Sequence, residues 1–176
     1  QLIDKGRKEA MSFDVARKAK LRAVHLLEYR DRTEKDMRRK LQQGGYPAEI
    51  IEETMEYLRA YGYIDDKRYA GRYLSSRLEQ KGRRRLFQEL QQKGIPACVI
   101  EEAWEELCLD GEVCEDEKEQ IGRLTEKKIG GRKELSPKEY QRLTGFLARR
   151  GFSWEDISSV FQEKGIHTVL ETKEEQ

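Results

Sequence analysis

The sequence predicts an all-α fold, a tandem array of three three-helix repeats, elongated and curved, and three observations carry that prediction. First, a Leu-x-x-x-Gly segment closed by an aromatic or apolar residue recurs at Leu41–Tyr46, Leu90–Ile95 and Leu147–Phe152, with 49 and 57 residues between the leucines. Second, apolar residues flank every copy at fixed offsets: Met37, Leu86 and Leu143 upstream, then Ile51, Ile100 and Ile157, then Met55, Trp104 and Phe161 downstream. A period near 50 residues with this many matched positions marks a repeat. Third, apolar residues within each copy recur every three or four positions, the helical period, and no alternating strand run or hairpin signal occurs.

Each repeat reads as three helices. In the first, helix one is predicted over 15–29. Helix two follows Thr33, which stands three residues before Asp36 as an N-cap should. It ends at Gly45, and its counterparts end at Gly94 and Gly151, because glycine adopts the left-handed cap conformation that other residues resist. Pro47 and Pro96 suit the first position of helix three, which carries Ile51, Met55 and Leu58 or Ile100, Trp104 and Leu107 on one face.

In the second repeat Asp65 is the predicted N-cap of helix one, with Tyr69, Tyr73 and Leu78 on its buried face. In the third, helix one is predicted over 116–129, and Ser136-Pro137-Lys138-Glu139 reads as a capping box with proline at the first helical position. The predicted boundaries are 1–13 for an N-terminal arm or the end of a trimmed upstream segment, 14–64, 65–112 and 113–165 for the repeats, and 166–176 for a frayed tail. The stretch 129–135, IGGRKEL, is a longer connection that accounts for the wider second spacing. The third repeat departs most from the pattern, with Asp156 where the others have Ile50 and Val99, and Lys164 where they have Leu58 and Leu107.

Composition narrows the function classes. Charged residues make up 39% of the chain and apolar ones 36%, which favours several thin helical cores over one large one. No apolar run is long enough to span a bilayer and QLIDKGRKEA is not a signal peptide, so no membrane partner is expected. The chain begins at Gln1, which predicts trimming of a longer protein. Cys98, Cys108 and Cys114 lack paired spacing, and His25 and His167 are remote from them. Reduced thiols in a cytoplasmic protein are expected, with no metal and no cofactor.

Nor does a catalytic motif emerge. There is no phosphate-binding glycine loop, nucleophile elbow or zinc-protease helix. Asp65 and Asp66 read as a turn and a cap rather than a Mg²⁺ pair, and Glu101, Glu102, Glu105 and Glu106 read as a solvated helix face. The chain is predicted not to be an enzyme.

Charge distribution is more informative than the net value of +1. Residues 1–44, 66–95 and 123–150 each carry a net +6, and the stretches 45–65, 101–119 and 151–176 carry −4, −9 and −4. Basic helices one and two thus alternate with an acidic helix three. Candidate contact residues are Arg30, Arg32, Arg38, Arg39 and Lys40 in the first repeat, and Arg72, Arg77, Lys81, Arg83, Arg84 and Arg85 in the second. The third repeat offers Arg132, Lys133, Arg149 and Arg150, with Lys138 and Arg142 beside them.

Most arginines on helices merely cover a solvated face, but recurrence at intervals suits a long, repetitive anionic partner. That partner is either nucleic acid or a protein filament with an acidic groove. The acidic third helices argue against groove reading, and the aromatics sit at core spacing rather than among the cations.

The stretch YGYIDDKRYAGRYLSSRLEQKGRRRLFQELQQKGI (61–95) resembles the central repeat of the RecX family of regulatory proteins. LLEYRDRTEKDMRRKLQQGGYPAEIIEETMEYL (26–58) resembles its first. The shared features are Tyr63-Ile-Asp-Asp66, Arg68-Tyr-Ala70, Lys81-Gly82, the Leu90–Ile95 helix end, Tyr29-Arg30, Arg32-Thr33 and Met37 to Leu41. The resemblance implies a non-catalytic modulator of the RecA recombinase. It would bind RecA and RecA–single-stranded DNA filaments, in the filament groove, and mostly inhibit recombinase, ATPase and coprotease activities. Weak direct DNA binding and a monomeric state go with that reading. An autonomous nucleic-acid-binding module and a passive helical scaffold are the alternatives.

Overall fold

A computed structural model describes residues 2–111 and 116–169; Cys114 and the ETKEEQ tail lie outside the described residues. The elements in chain order are α1 (Leu2–Tyr29), α2 (Glu34–Gln43), α3 (Ala48–Ala60), α4 (Asp66–Ser75), α5 (Arg83–Gln92), α6 (Ala97–Leu109), α7 (Glu117–Ile129), β1 (Glu134–Leu135), α8 (Pro137–Arg149), α9 (Trp154–Lys164) and β2 (His167–Thr168). Three helices per repeat is the observed arrangement, and helix one of the first repeat begins at Leu2, well before the predicted residue 15.

Caps define the borders. Thr33 accepts from the Asp36 N–H, Ser153 from Asp156, and Ser136 with Glu139 forms the full capping box. Asp65 accepts from the Arg68 N–H at 2.9 Å, so it caps α4 as expected. Pro47 and Pro96 sit one residue earlier than predicted, immediately before α3 and α6. There proline's missing N–H costs nothing, because no partner exists for it within the helix.

The chain divides into two compact units, Gln1–Arg72 with Leu90–Trp104, and Tyr73–Glu89 with Glu105–Gln176. In the first, Ala16, Ala19 and Ala23 are buried along one face of α1, and Ala16 and Ala19 cluster with Ile50 of α3. Small residues at i, i+3 and i+7 let two helix axes approach closely. Met37, Leu41, Ile51, Met55, Leu58 and Ile64 complete the core beside them. Burying each such side chain contributes about 1.5–3 kcal/mol against exposure.

In the second unit the core is Ile121, Leu135, Leu143, Leu147, Phe152, Ile157, Val160, Phe161 and Ile166. Phe161 meets the Tyr140 ring edge-on at 5.4 Å, a favoured quadrupolar geometry.

Two expectations need correction here. On α4 the fully buried residues are Ala70 and Leu74, while Tyr69 and Tyr73 lie one position round the helix and are half-buried. Small Ala70 suits the interior, and Tyr73 keeps its hydroxyl at the edge, where it donates to Glu89. The segment after Gly165 is not frayed from its start. Ile166 is buried and His167–Thr168 pairs in parallel with Glu134–Leu135 inside the long connection. Leu135 and Ile166 thereby join the core of this unit, while Lys164, at the position of Leu58 and Leu107, is exposed.

One polar group in this core is unsatisfied. Thr125 on α7 is 1% exposed and its hydroxyl has no hydrogen-bond partner, whereas buried Thr54 donates to the Ile50 carbonyl at 2.7 Å. An orphaned hydroxyl costs about 1–3 kcal/mol. Thr125→Val, which keeps the shape and deletes the orphan, is expected to stabilise the protein by about 1 kcal/mol. Chemical denaturation of the two proteins side by side checks this, and a lower midpoint for the valine variant would contradict it.

Candidate interaction surface

The glycine corners between helices two and three do more than end helices. In the first compact unit, the Thr33 hydroxyl donates to the Lys93 carbonyl at 2.9 Å, and the Glu34 N–H donates to Asp66 Oδ1 at 2.9 Å. In the second, the Gly82 N–H donates to the Arg150 carbonyl at 2.9 Å, and the Arg83 N–H to Glu117 Oε1 at 3.0 Å. Thr33 and Gly82 precede helix two of their repeats, and Lys93 and Arg150 precede the corner glycines of the next.

The first residue of each following helix one, Asp66 or Glu117, thus supplies a carboxylate to the open N-terminus of α2 or α5. Such N-termini carry unpaired N–H groups and a positive dipole end. Asp66 accordingly has a structural task. Burial pushes its carboxyl above the ordinary value, with the Glu34 N–H acting in the opposite direction.

With helices two so anchored, the candidate cations fall into three kinds. The first group converges on Asp36. Arg32 is 8% exposed and places Nη1 2.6 Å from Asp36 Oδ2, with Nε on the Leu26 carbonyl. Arg39 pairs with the same carboxylate, and Arg30 approaches to 3.8 Å. Burial pushes the Asp36 carboxyl up, but bonds from Arg39 and Arg32 outweigh it and hold it below the ordinary value. Arg38 is engaged by Glu52 and Arg72 by Asp31 at 2.6 Å. A cleft of about 310 Å³ lies here, with Arg30, Arg32, Lys35, Arg39 and Lys93 on its walls beside Asp31 and Asp36. Lys35 and Lys40 have no ion-pair partner among the described residues.

The second group converges on Glu89. Lys81 Nζ reaches both carboxylate oxygens at 2.8 Å, the Tyr73 hydroxyl donates at 2.7 Å and Arg85 Nε at 2.9 Å. Burial would raise the Glu89 carboxyl. The donors from Lys81, Tyr73 and Arg85 more than reverse that and lower it to about 2. Arg77 lies over the Tyr73 ring at 4.0 Å and Arg83 over Phe87 at 4.8 Å. Arg83 and Arg84 are exposed on the first turn of α5.

The third group is the least neutralised. Arg132 pairs with Glu139 at 3.0 Å, and Arg150 stacks on Phe146 at 3.7 Å with its Nε unbonded. Exposed Lys133, Lys138, Arg142 and Arg149 have no acidic partner among the described residues.

Sequence reasoning missed the two carboxylate hubs. The i,i+4 spacings Arg32–Asp36 and Arg85–Glu89 were the available signal, while the approach of Lys81 and Tyr73 depends on tertiary structure. It also missed an aromatic cluster at the end of α3, where Tyr57 lies 4.7 Å from Tyr61 and 6.1 Å from Tyr63. Among the described residues no group of three His, Cys, Asp or Glu side chains could hold a metal ion, and no helix is long and apolar enough to cross a membrane. Cys98 and Cys108 are free and exposed.

Tandem three-helix repeats define the class: a helical-repeat protein. The chain belongs to the RecX family, matching its first, second and third three-helix domains over residues 19–58, 65–103 and 115–161. It is 36% identical to the regulatory protein RecX of Trichlorobacter lovleyi over 81% of this chain and 93% of that one. Identity to the Vibrio vulnificus protein of the same name is 35%, covering 77% and 85%. With that of Clostridium acetobutylicum it is 31%, covering 82% and 68%. Among solved structures, RecX from Lactobacillus salivarius superposes with a TM-score of 0.66 at 26% identity, covering 86% of this chain and 97% of that one.

Proposed function

We propose that this chain regulates the RecA recombinase: it binds RecA and RecA–single-stranded DNA filaments in the filament groove and mostly inhibits recombinase, ATPase and coprotease activities during DNA repair and the SOS response. Membership of the RecX family carries the reading. It acts by binding rather than catalysis, as a monomer in the cytoplasm. The exposed cations left after internal pairing, Lys35 in the first repeat, Arg84 in the second and Arg142 in the third, supply electrostatic attraction to an anionic filament surface.

Co-sedimentation with RecA alone, DNA alone and the assembled filament, at two salt concentrations, tests the proposal. The protein is expected to pellet with filament and to lower its ATPase rate; absence of both effects at moderate salt sinks the idea. A paired reversal, Arg83→Glu with Arg84→Glu, is expected to weaken filament affinity roughly tenfold, about 1.4 kcal/mol, with helicity unchanged. Arg85 is left in place because a glutamate there would stand beside Glu89. Unchanged affinity would demote these two residues to ordinary solvated surface.

A further inference from the structure

The turn that closes α3 holds three tyrosine rings together at the surface. Tyr57 packs against the core of the first unit and meets the rings of Tyr61 and Tyr63 beyond the helix end. Those two are 70% and 45% exposed. The backbone fixes them there: the Gly62 N–H donates to the Arg59 carbonyl at 3.0 Å and the Tyr63 N–H to the Leu58 carbonyl at 2.8 Å, the paired bonds of a Schellman cap. Arg68 Nη2 donates to the Gly62 carbonyl at 2.9 Å, and Ile64, the next residue after the turn, is buried. Rings presented on fixed backbone, each with only two side-chain torsions, lose little freedom on contact. Their surroundings are acidic. Glu49, Glu53, Tyr57 and Tyr61 follow one another at intervals of four, so carboxylates and rings share one strip of α3 and its cap. Exposed Glu49 and Glu56 have no ion-pair partner among the described residues. The strip already seats one cation: Lys20 Nζ of α1 lies 5.3 Å from the Tyr57 ring centre and 2.7 Å from Glu53 Oε1. Over Tyr61 and Tyr63 no cation lies among the described residues.

We infer that the turn at 61–63 is the docking platform for a RecA segment that presents a basic side chain. The identity of the partner rests on the filament reading proposed above; its chemistry follows from the rings and carboxylates. Tyrosine is among the residues that anchor protein interfaces. A lysine or arginine laid over an exposed tyrosine face beside a carboxylate gains from both, as Lys20 does on Tyr57 and Glu53. Nucleobases also stack on aromatic rings, but residues 45–65 carry a net −4, and that charge repels the phosphates that accompany every base.

Fluorescence anisotropy of the labelled full chain, titrated with RecA either free or assembled on single-stranded DNA, tests it. Tyr61→Ala with Tyr63→Ala should weaken binding about tenfold or more. Tyr61→Phe with Tyr63→Phe should stay within about threefold of the parent, because the rings remain. Tyr61→Ala alone should give an intermediate loss, and it decides the question if the double variant folds poorly. Glu49→Lys with Glu56→Lys should weaken binding about fivefold by repelling the basic side chain. Absence of wild-type binding to both forms of RecA would overturn the filament reading and the platform with it. Wild-type binding that the alanine variants or the lysine pair retain in full would overturn the platform alone. So would an equal loss of affinity for a single-stranded oligonucleotide titrated in parallel, which would assign the rings to bases.

Discussion

Gly151→Ala is expected to destabilise the protein by about 4 kcal/mol or more, among the largest effects of any single methyl group added to this chain. Two costs combine. At φ +96° an L-residue is strained, at about 1–2 kcal/mol. The new Cβ would also stand 2.8 Å from the Arg85 backbone nitrogen and 3.1 Å from its Cα. Backbone at the start of α5 cannot rotate away as a side chain would. The Gly82 N–H bond to the Arg150 carbonyl lies at the same corner and would be pushed apart.

Two matched glycines supply internal controls. Gly94→Ala meets Lys35 Cβ at 2.6 Å and Cγ at 2.9 Å, atoms of a side chain that can partly give way. Gly45 has φ +77° but nothing within 4 Å, so Gly45→Ala bears only the backbone strain. Thermal unfolding should rank the losses Gly151, then Gly94, then Gly45. Equal losses at all three would mean that the close approach contributes nothing.

The same three glycines show what was readable in the sequence. Their role as helix ends follows from local rules, and the Leu-x-x-x-Gly period exposed all three together. The second role of Gly94 and Gly151, as the point where one repeat meets helix two of the one before, has no local signature. Nor do the carboxylates of Asp66 and Glu117, because the N–H groups they accept from lie 32 and 34 residues away. The β1–β2 pair was invisible for a related reason: two residues per strand are too few to show alternation. Among candidate contact residues, charge could be counted but not apportioned. Arg32 and Arg142 look alike in the sequence, yet one is buried on Asp36 and the other stands in solvent.

Glu89→Gln is expected to cost about 2 kcal/mol at neutral pH and to flatten the acid limb of the stability profile. The carboxyl group titrates at about 2 in the folded protein, against an ordinary value of 4.5. Because the folded value is the lower, its stabilisation is present above the unfolded value and is lost as pH falls from about 4.5 through 2. A shift of that size corresponds to about 3 kcal/mol, reduced here because Lys81 and Arg85 remain 29% and 42% exposed and are screened by solvent. The amide retains one acceptor for Tyr73 or Lys81 but brings no charge, so Lys81 and Arg85 lose their common anchor. Denaturant titrations of both proteins from pH 7 down to pH 2 measure the effect. The gap between them should narrow across that window; a constant gap would mean that Glu89 acts through packing rather than charge.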